Sequence, residues 1–133
     1  MLSRMRYMGI DYGSKRVGVA LSDEAGTMGF PKGVVANAPH LLDSLTTLIR
    51  DMSVGGIVIG ESKNLAGNDN PIALDARRFG DALHRATGIP VFYEDERFTS
   101  AEARRAPEAP AEVDASAAAL ILTNFLSKHD HAR

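Results

Sequence analysis

Short apolar runs alternate with amphipathic stretches along most of the chain. Apolar runs bounded by Gly, Pro or Asn are typical of buried β-strands. Pro31 interrupts one run, which predicts an edge strand or a bulge because proline lacks the N–H that a sheet ladder needs. The runs predict five strands, at residues 7–11, 17–21, 28–36, 57–59 and 91–93.

The stretch after the third strand carries apolar residues at helical spacing. Four leucines, one isoleucine and Met52, all between residues 41 and 52, fall on one face of a helix. Asn37 is the expected N-cap, with Pro39 just inside the helix. The paired glycines at 55 and 56 are expected to separate this helix from the fourth strand.

Residues that favour the start or the end of a helix predict the remaining element boundaries. An Asn-Pro pair predicts a helix start, Gly followed by Pro predicts a helix end, and the spacing Thr-x-x-Glu is that of a capping box. A segment of Pro, Ala and Glu is typical of a linker. The expected features are a helix from residues 70–71 to Gly88, a short helix opened by residues 99–102, a linker at 106–113, a buried helix from Asp114 to about Ser127 and a frayed tail at 128–133.

The resulting order, β-β-β-α-β-α-β-α-α, predicts an α/β fold. A hairpin followed by alternating helices and strands predicts a mixed five-stranded sheet with helices on both faces. The length of 133 residues suits one domain spanning residues 1–133.

The amino-acid composition excludes several classes of protein. The chain has no cysteine, which excludes disulfides, thiolate zinc sites and cysteine nucleophiles. No apolar run approaches the roughly 20 residues of a membrane helix, and the first six residues do not resemble a signal peptide, so we expect a cytoplasmic protein. The formal charge of -2 excludes a generally basic surface. A nucleic-acid partner would therefore need a local basic patch.

Carboxylates stand where three buried elements end or begin. Asp11 ends the first strand, Asp95 and Glu96 follow the fifth, and Asp114 begins the last helix. Mg²⁺ and Mn²⁺ require several hard oxygen ligands, which carboxylates from distant parts of the chain can supply. Two such ions can activate a water and stabilise the leaving oxygen of a phosphodiester.

The last helix could bring two of these acids together. Ala117, Ala118 and Ile121 share the face of Asp114, and small side chains there would let the helix lie close to the sheet. Asp114 would then come within reach of Asp11.

The same acids also fit a purely structural interpretation. Asp114 is equally suited to capping its helix, and residues 94–96 have the composition of a solvated turn. Asp11 fits that interpretation least well, because burying a carboxylate beside Gly9 and Ile10 is costly unless a cation or hydrogen-bond donors compensate.

Three motifs in this order resemble the YqgF (RuvX) family, RuvC-like proteins described as Holliday junction resolvases and as pre-16S rRNA nucleases. Residues 9–20 (GIDYGSKRVGVA) resemble its D-[FY]-G-x-K-x-x-G-V-A signature. Residues 95–103 (DERFTSAEA) resemble D-E-R-x-[ST]-[ST]-x-E-A, and residues 113–118 (VDASAA) resemble [IV]-D-x-x-A-A. Together the motifs extend over nearly the whole chain.

The resemblance implies an RNase H-like fold and a nuclease that uses Mg²⁺ or Mn²⁺, with a two-metal site. Its acidic triad corresponds to Asp11, Glu96 and Asp114. Asp95, which stands beside Glu96 after the fifth strand, is a further candidate metal ligand. Lys15 and Arg97 correspond to phosphate or substrate contacts. Other basic residues in or beside the motifs extend this substrate-binding set: Arg16, Lys63, Arg104 and Arg105.

The sequence departs from the family pattern at two places, one near the candidate metal site and one in a segment that could bind nucleic acid. Glu61 stands in Gly-Glu-Ser, where the family has Gly-[LIF]-Pro, and is either an extra metal ligand or a surface change. The segment 106–113 contains two Glu and no basic residue, where relatives often have a longer basic segment.

The leading hypothesis is a nuclease acting on structured RNA, such as the 5′ end of pre-16S rRNA, or on branched DNA. A homodimer would suit a two-fold substrate such as a four-way junction. Two alternatives remain: a non-catalytic RNA- or ribosome-associated factor, which the net charge and acidic linker favour, and an ATP-binding protein of the actin/hexokinase type, which usually needs two such domains.

Overall fold

Five strands and three helices make up the described part of the chain. The computed structural model describes residues 5–61, 71–95 and 111–130, without the side chains of residues 71, 95, 111–114, 129 and 130. The strands are β1 (Arg6–Tyr12), β2 (Arg16–Ser22), β3 (Gly29–Ala36), β4 (Val54–Glu61) and β5 (Val91–Asp95). The helices are α1 (Leu41–Asp51), α2 (Pro71–Thr87) and α3 (Ala111–Asp130).

The strands form one mixed sheet in the order β3-β2-β1-β4-β5. β1 pairs antiparallel with β2 and parallel with β4, which in turn pairs parallel with β5. β3 lies at one edge, and the register between β2 and β3 shifts so that Val19 faces Gly33 while Ala20 faces Pro31. All five predicted strands are confirmed, and Pro31 has both predicted features, an edge strand and a bulge.

Alternation along β1 divides the core between the two faces of the sheet. Met8 and Ile10 point to the face covered by α1 and α2, whose buried residues include Leu45 and Leu83. Tyr7 and the other odd-numbered residues point to the opposite face, which α3 covers. The predicted mixed sheet with helices on both faces is therefore confirmed.

The small residues of α3 let it approach the sheet closely. A Cβ atom built on Gly9 would lie 2.7 Å from the carbonyl oxygen of Ala118 and 2.8 Å from the Cβ of Leu122. Real Cβ atoms do not approach other heavy atoms so closely, so β1 and α3 can pack in this way only with glycine at position 9. The close packing expected of the alanine-rich face is confirmed.

The predicted start of α1 is wrong. The helix begins at Leu41 with His40 as N-cap, and Asn37 lies outside it. The reason is that Asn37 binds another segment: its side-chain Nδ2 donates to the Gly13 carbonyl at 2.8 Å. The amphipathic face itself is as predicted, with Leu41, Leu45 and Ile49 buried.

Gly55 and Gly56 do not separate α1 from β4, because both lie inside the strand. A Cβ atom on Gly56 would lie 2.5 Å from the ring of Tyr7, so the aromatic residue of β1 occupies the space above this glycine. The second helix ends as predicted, with Gly88 at a φ of 74° directly after α2.

The bounds of α3 differ from the prediction at both ends. The helix begins at Ala111, so residues 111–113 are helical rather than part of a linker, and Asp114 lies in the first turn rather than at the N-cap. Pro110 precedes a run of Ala, Glu and Val, and proline directly before or in a first helical turn is compatible with a helix start. At the other end Lys128 belongs to the helix rather than to a frayed tail.

Several expectations lie outside the described residues. These are the loop after Glu61, the short helix opened by residues 99–102, most of the linker at 106–110 and the last three residues of the tail. In the parts of the chain that are described, no helix is both long and apolar enough to cross a membrane.

Candidate functional site

Asp11 lies at the carboxyl end of the central strand β1. Asp11 is only 3% exposed, although a charged carboxylate is costly to bury. Alternation with Tyr7 and Gly9 puts it on the face that α3 covers. A buried acid at the end of a central strand is the candidate around which the site is built.

Glu94 is a second buried carboxylate at the same edge and on the same face. Glu94 is 5% exposed and pairs with Gly60 of β4. One residue earlier in each strand, Ile10, Ile59 and Tyr93 lie side by side across β1, β4 and β5. Asp11 and Glu94 therefore lie two strands apart, with about 10 Å between their Cα atoms, and only Gly60 of β4 lies between them.

Sequence analysis missed Glu94. The structure corrects its assignment to a solvated turn, since Glu94 lies inside β5 and is buried. The signal available was the alternation of β5, in which Phe92 and Glu94 share one face.

Lys128 supplies the charge that makes the burial of Glu94 tolerable. Its Nζ lies 2.6 Å from the Glu94 Oε2, and the Lys128 side chain is 64% exposed while that of Glu94 is 7% exposed. A buried carboxylate paired with an ammonium in this way is far less costly than an isolated one. The pair joins the last turns of α3 to the end of β5.

α3 crosses the sheet obliquely, from β3 to β5: Thr123 accepts a hydrogen bond from the backbone N–H of Gly29, and Lys128 contacts Glu94. The ring of Tyr7 contacts that of Phe125, with centroids 6.1 Å apart, whereas Gly9 lies against Ala118. On β5 the order is reversed, because Phe125 also contacts Phe92, with centroids 5.1 Å apart, and Lys128 contacts Glu94 nearer the carboxyl edge. Asp114 lies in the first turn of the helix. The side chain of Asp114 lies outside the described residues.

Asp95 follows Glu94 at the same edge of the sheet. Asp95 is the last residue of β5 and pairs with Glu61 of β4. Its side chain, and the whole of Glu96, lie outside the described residues.

Glu61 is brought together with α2 rather than with Asp11. It follows Gly60 in β4, so alternation puts it on the face that α1 and α2 cover. The Nε of Arg77 donates to its Oε2 at 2.8 Å. The guanidinium of Arg77 also lies 5.9 Å from the ring centre of Tyr93. Burial, followed by the charge of Asp81, raises the pKa of the Tyr93 phenol above its usual value of 10.0.

The turn between β1 and β2 lies next to Asp11 in the chain and carries two of the predicted substrate-binding residues. Lys15 is exposed in the turn, and Arg16 is the first residue of β2. The turn is an ordinary hairpin connection, as predicted, with Tyr12 facing Val17. The other predicted substrate-binding residues lie outside the described part: Lys63, Arg97, Arg104 and Arg105.

The described residues contain one member of the predicted triad with its side chain. Among them there is no group of three or more His, Asp or Glu side chains that could hold a metal ion. The donor chemistry at Asp11 nonetheless suits Mg²⁺ or Mn²⁺, because both ions prefer carboxylate oxygens.

Comparison with known proteins identifies the family. The family model described as "RuvX: Holliday junction resolvase" matches residues 5–128. The chain belongs to the RuvX family. This confirms the resemblance drawn from the three motifs.

Curated relatives of the RuvX chain match it over nearly their full length. One from Oenococcus oeni is 37% identical over 137 residues, which cover 93% of this chain and 95% of the relative. One from an Anaeromyxobacter species is 38% identical over 132 residues, covering 92% and 96%. Both are named "Putative pre-16S rRNA nuclease".

A solved structure confirms the fold. RuvC from T. thermophilus, in complex with a Holliday junction substrate, superimposes with a TM-score of 0.63 at 17% identity. The match covers 95% of this chain and 96% of RuvC. The RNase H-like fold predicted from the resemblance is therefore confirmed.

Proposed function

We propose that this RuvX chain is a nuclease that hydrolyses phosphodiester bonds in structured nucleic acid with the help of Mg²⁺ or Mn²⁺. The single observation that carries the proposal is Asp11, a carboxylate that is 3% exposed at the end of the central strand. Family membership and the names of the relatives support a nuclease. The substrates we propose are the 5′ end of pre-16S rRNA, branched DNA, or both.

Three carboxylates would hold the metal. We assign this role to Asp11, Glu96 and Asp114, with Asp95 as an additional ligand, on the basis of the motifs. Two bound divalent ions supply the Lewis acidity that phosphodiester hydrolysis requires at neutral pH. Glu61 is a weaker candidate, because its carboxylate already accepts hydrogen bonds from Arg77 on the other face of the sheet.

Basic residues beside the acids would bind the phosphates on either side of the scissile bond. Lys15 and Arg16 lie at the turn that follows Asp11, and Lys63, Arg97 and Arg104 lie in or beside the motifs. Each contact would release counterions, so binding should weaken steeply as salt is raised. A homodimer would offer two such sites to a two-fold substrate. We propose that the protein acts in the cytoplasm, where pre-rRNA is found.

The experiment that tests the proposal offers two substrates side by side. Purified protein is incubated with a pre-16S rRNA 5′ end and with a synthetic four-way junction, each with Mg²⁺, Mn²⁺ or EDTA. We expect metal-dependent cleavage of at least one substrate and none in EDTA. Salt-dependent RNA binding without cleavage in any metal would instead support a non-catalytic RNA-associated factor.

The variant Asp11→Asn ties the activity to the site. We expect it to lose cleavage by at least about 100-fold while keeping the thermal stability of the wild type, since an amide replaces a metal-binding carboxylate of the same size. The matched control is Asp43→Asn, which changes an exposed carboxylate on α1, the helix on the opposite face. Full activity of Asp11→Asn at equal purity would contradict the assignment.

A further inference from the structure

The turn that carries Lys15 is held from outside the hairpin. Asn37 follows β3 directly, and its backbone N–H donates to the Lys15 carbonyl at 2.9 Å. Its side-chain Nδ2 donates to the Gly13 carbonyl at 2.8 Å. One residue thus binds the two carbonyls that flank Ser14.

The two bonds differ in what they fix. The backbone bond extends the ladder between β2 and β3 by one residue beyond the pair Arg16 and Ala36. The side-chain bond crosses to the other arm of the hairpin, where Gly13 follows β1. The side-chain amide of Asn37 therefore sets the shape of the turn, which the ladder alone does not.

The hydrogen bond to Gly13 also orients a donor. A peptide unit is planar and trans, so its C=O and N–H point in opposite directions. Since the Gly13 carbonyl points to Asn37, the Ser14 N–H points away from Asn37. Among the described residues the Ser14 N–H has no hydrogen-bond partner, and both Ser14 and Lys15 are exposed.

The turn has little freedom to adopt another shape by itself. A Cβ atom on Gly13 would lie 2.5 Å from the Arg16 carbonyl oxygen, so the backbone closes tightly at this point. In a tight turn, the rotation of one peptide unit changes which groups face solvent. The donor of Asn37 selects one orientation of the unit between Gly13 and Ser14.

We propose that Asn37 is a positioning residue for substrate binding, acting through the turn at residues 13–15. By fixing the Gly13 carbonyl it presents the Ser14 N–H, together with the Lys15 ammonium, to a phosphate of the nucleic acid. A backbone N–H next to a lysine is a common pairing for phosphate recognition. The inference rests on the proposed function, because it assumes that Lys15 contacts substrate.

A double-mutant cycle tests the inference. Asn37→Ala is expected to raise KM about fivefold with a change in kcat of less than about twofold, the factor for one net hydrogen bond of about 1 kcal/mol. In a Lys15→Ala background the same substitution should raise KM by clearly less than fivefold, because the Ser14 N–H remains but the ammonium that the turn also presents is gone. Asn124→Ala, which removes an amide from α3, is the control and should leave KM unchanged.

A second readout does not depend on cleavage. In EDTA, the dissociation constant for the uncut four-way junction or pre-rRNA should change by the same factors as KM. Asn37→Asp, which keeps the size of the side chain but replaces its N–H donor by a negative charge, should weaken binding at least as much as Asn37→Ala does. Hydrogen exchange at the Asn37 backbone N–H, which donates to the Lys15 carbonyl, should be faster in both variants than in the wild type, because the turn loses its second bond.

The outcomes separate this inference from the proposed function. If Lys15→Ala raises KM in the otherwise wild-type chain but Asn37→Ala leaves KM unchanged, the positioning role alone is overturned. An equal fivefold rise in both backgrounds would also overturn it, because Asn37 would then act independently of Lys15. A wild-type chain that neither binds nor cleaves nucleic acid would overturn the proposed function and this inference with it.

Discussion

At position 9 of β1 the backbone itself forms part of the contact with α3. The absence of a side chain lets the Ala118 carbonyl approach the strand, and two residues later the same face carries Asp11. The packing of one glycine and the position of a candidate catalytic acid are therefore linked. A change at Gly9 should affect both stability and activity.

The substitution Gly9→Ala measures this link. We expect it to lower the free energy of unfolding by about 1–3 kcal/mol, the usual range for overpacking, and to lower cleavage by displacing α3. Gly33→Ala in β3 is the matched control, because a Cβ atom there has no neighbour within 4 Å. Urea unfolding of both variants gives the comparison, and equal stabilities would contradict the close approach of α3.

Tyr7 is a buried phenol whose hydroxyl has no hydrogen-bond partner among the described residues. Burial raises its pKa above the usual value of 10.0. The unfolded chain therefore loses this proton at a lower pH than the folded chain. Its contribution to stability is complete below about pH 10 and is lost as the pH rises through the folded pKa.

The variant Tyr7→Phe removes this titration. We expect its free energy of unfolding to stay within about 0.5 kcal/mol of the wild type at pH 7, because the hydroxyl has no bond to lose. Between pH 10 and 11 the variant should lose less stability than the wild type does. A loss of several kcal/mol at pH 7 would show instead that the hydroxyl has a partner.

The sequence predicted some site residues better than others. Asp11 stood out because a carboxylate ended an apolar strand and fell within a family motif. Glu94 did not, because three consecutive acids resemble a solvated turn, and the ammonium that compensates its burial belongs to Lys128, 34 residues away. Burial of a charge depends on partners brought together by the fold, and local sequence does not contain them.

Among the elements, α3 and β5 are joined by the ion pair of Lys128 and Glu94. Glu94 precedes Glu96 by two residues along the chain, and Lys128 shares a continuous helix with Asp114. The pair therefore stabilises the two elements that carry, or lead into, two of the proposed metal ligands.

Lys128→Met should leave the Glu94 carboxylate buried without its cation. We expect the free energy of unfolding to fall by about 1–3 kcal/mol, the cost of an unsatisfied buried polar group. The double variant Glu94→Gln/Lys128→Met should recover part of this loss, since the amide carries no charge. Arg78→Met, which breaks an exposed pair with Asp75 at 3.8 Å, should cost under about 0.5 kcal/mol. Similar losses in the two single variants would show that the buried pair has no special weight.

Element types were predicted more reliably than element ends. The five strands and the buried face of α1 followed from apolar periodicity, which depends on the element itself. The start of α1 did not, because Asn37 binds a carbonyl of the hairpin instead of capping the helix. The start of α3 was missed because a segment of Ala, Glu and Pro suits a linker and a first helical turn equally well.

At the scale of the whole molecule, the mixed sheet brings distant parts of the chain to one edge. β1, β4 and β5 run parallel, so Asp11, Gly60 and Glu94 reach the same edge in neighbouring strands. α3 crosses the same face of the sheet, from Gly29 of β3 to Glu94 of β5, and Lys128 in its last turns reaches that edge. The turn with Lys15 follows directly from β1. This arrangement is consistent with one metal site beside one phosphate-binding turn.

The central claim is that Asp11, Glu96 and Asp114 hold one divalent metal centre, and a crystal grown with Mn²⁺ tests it most directly through anomalous scattering. We predict a peak about 2.0–2.2 Å from carboxylate oxygens of Asp11 and Asp114, with Glu96 in the same shell, and no such peak in Asp11→Asn crystals. An anomalous map without a peak at Asp11, with the Asp114 carboxylate directed to another surface of the molecule, would contradict the claim.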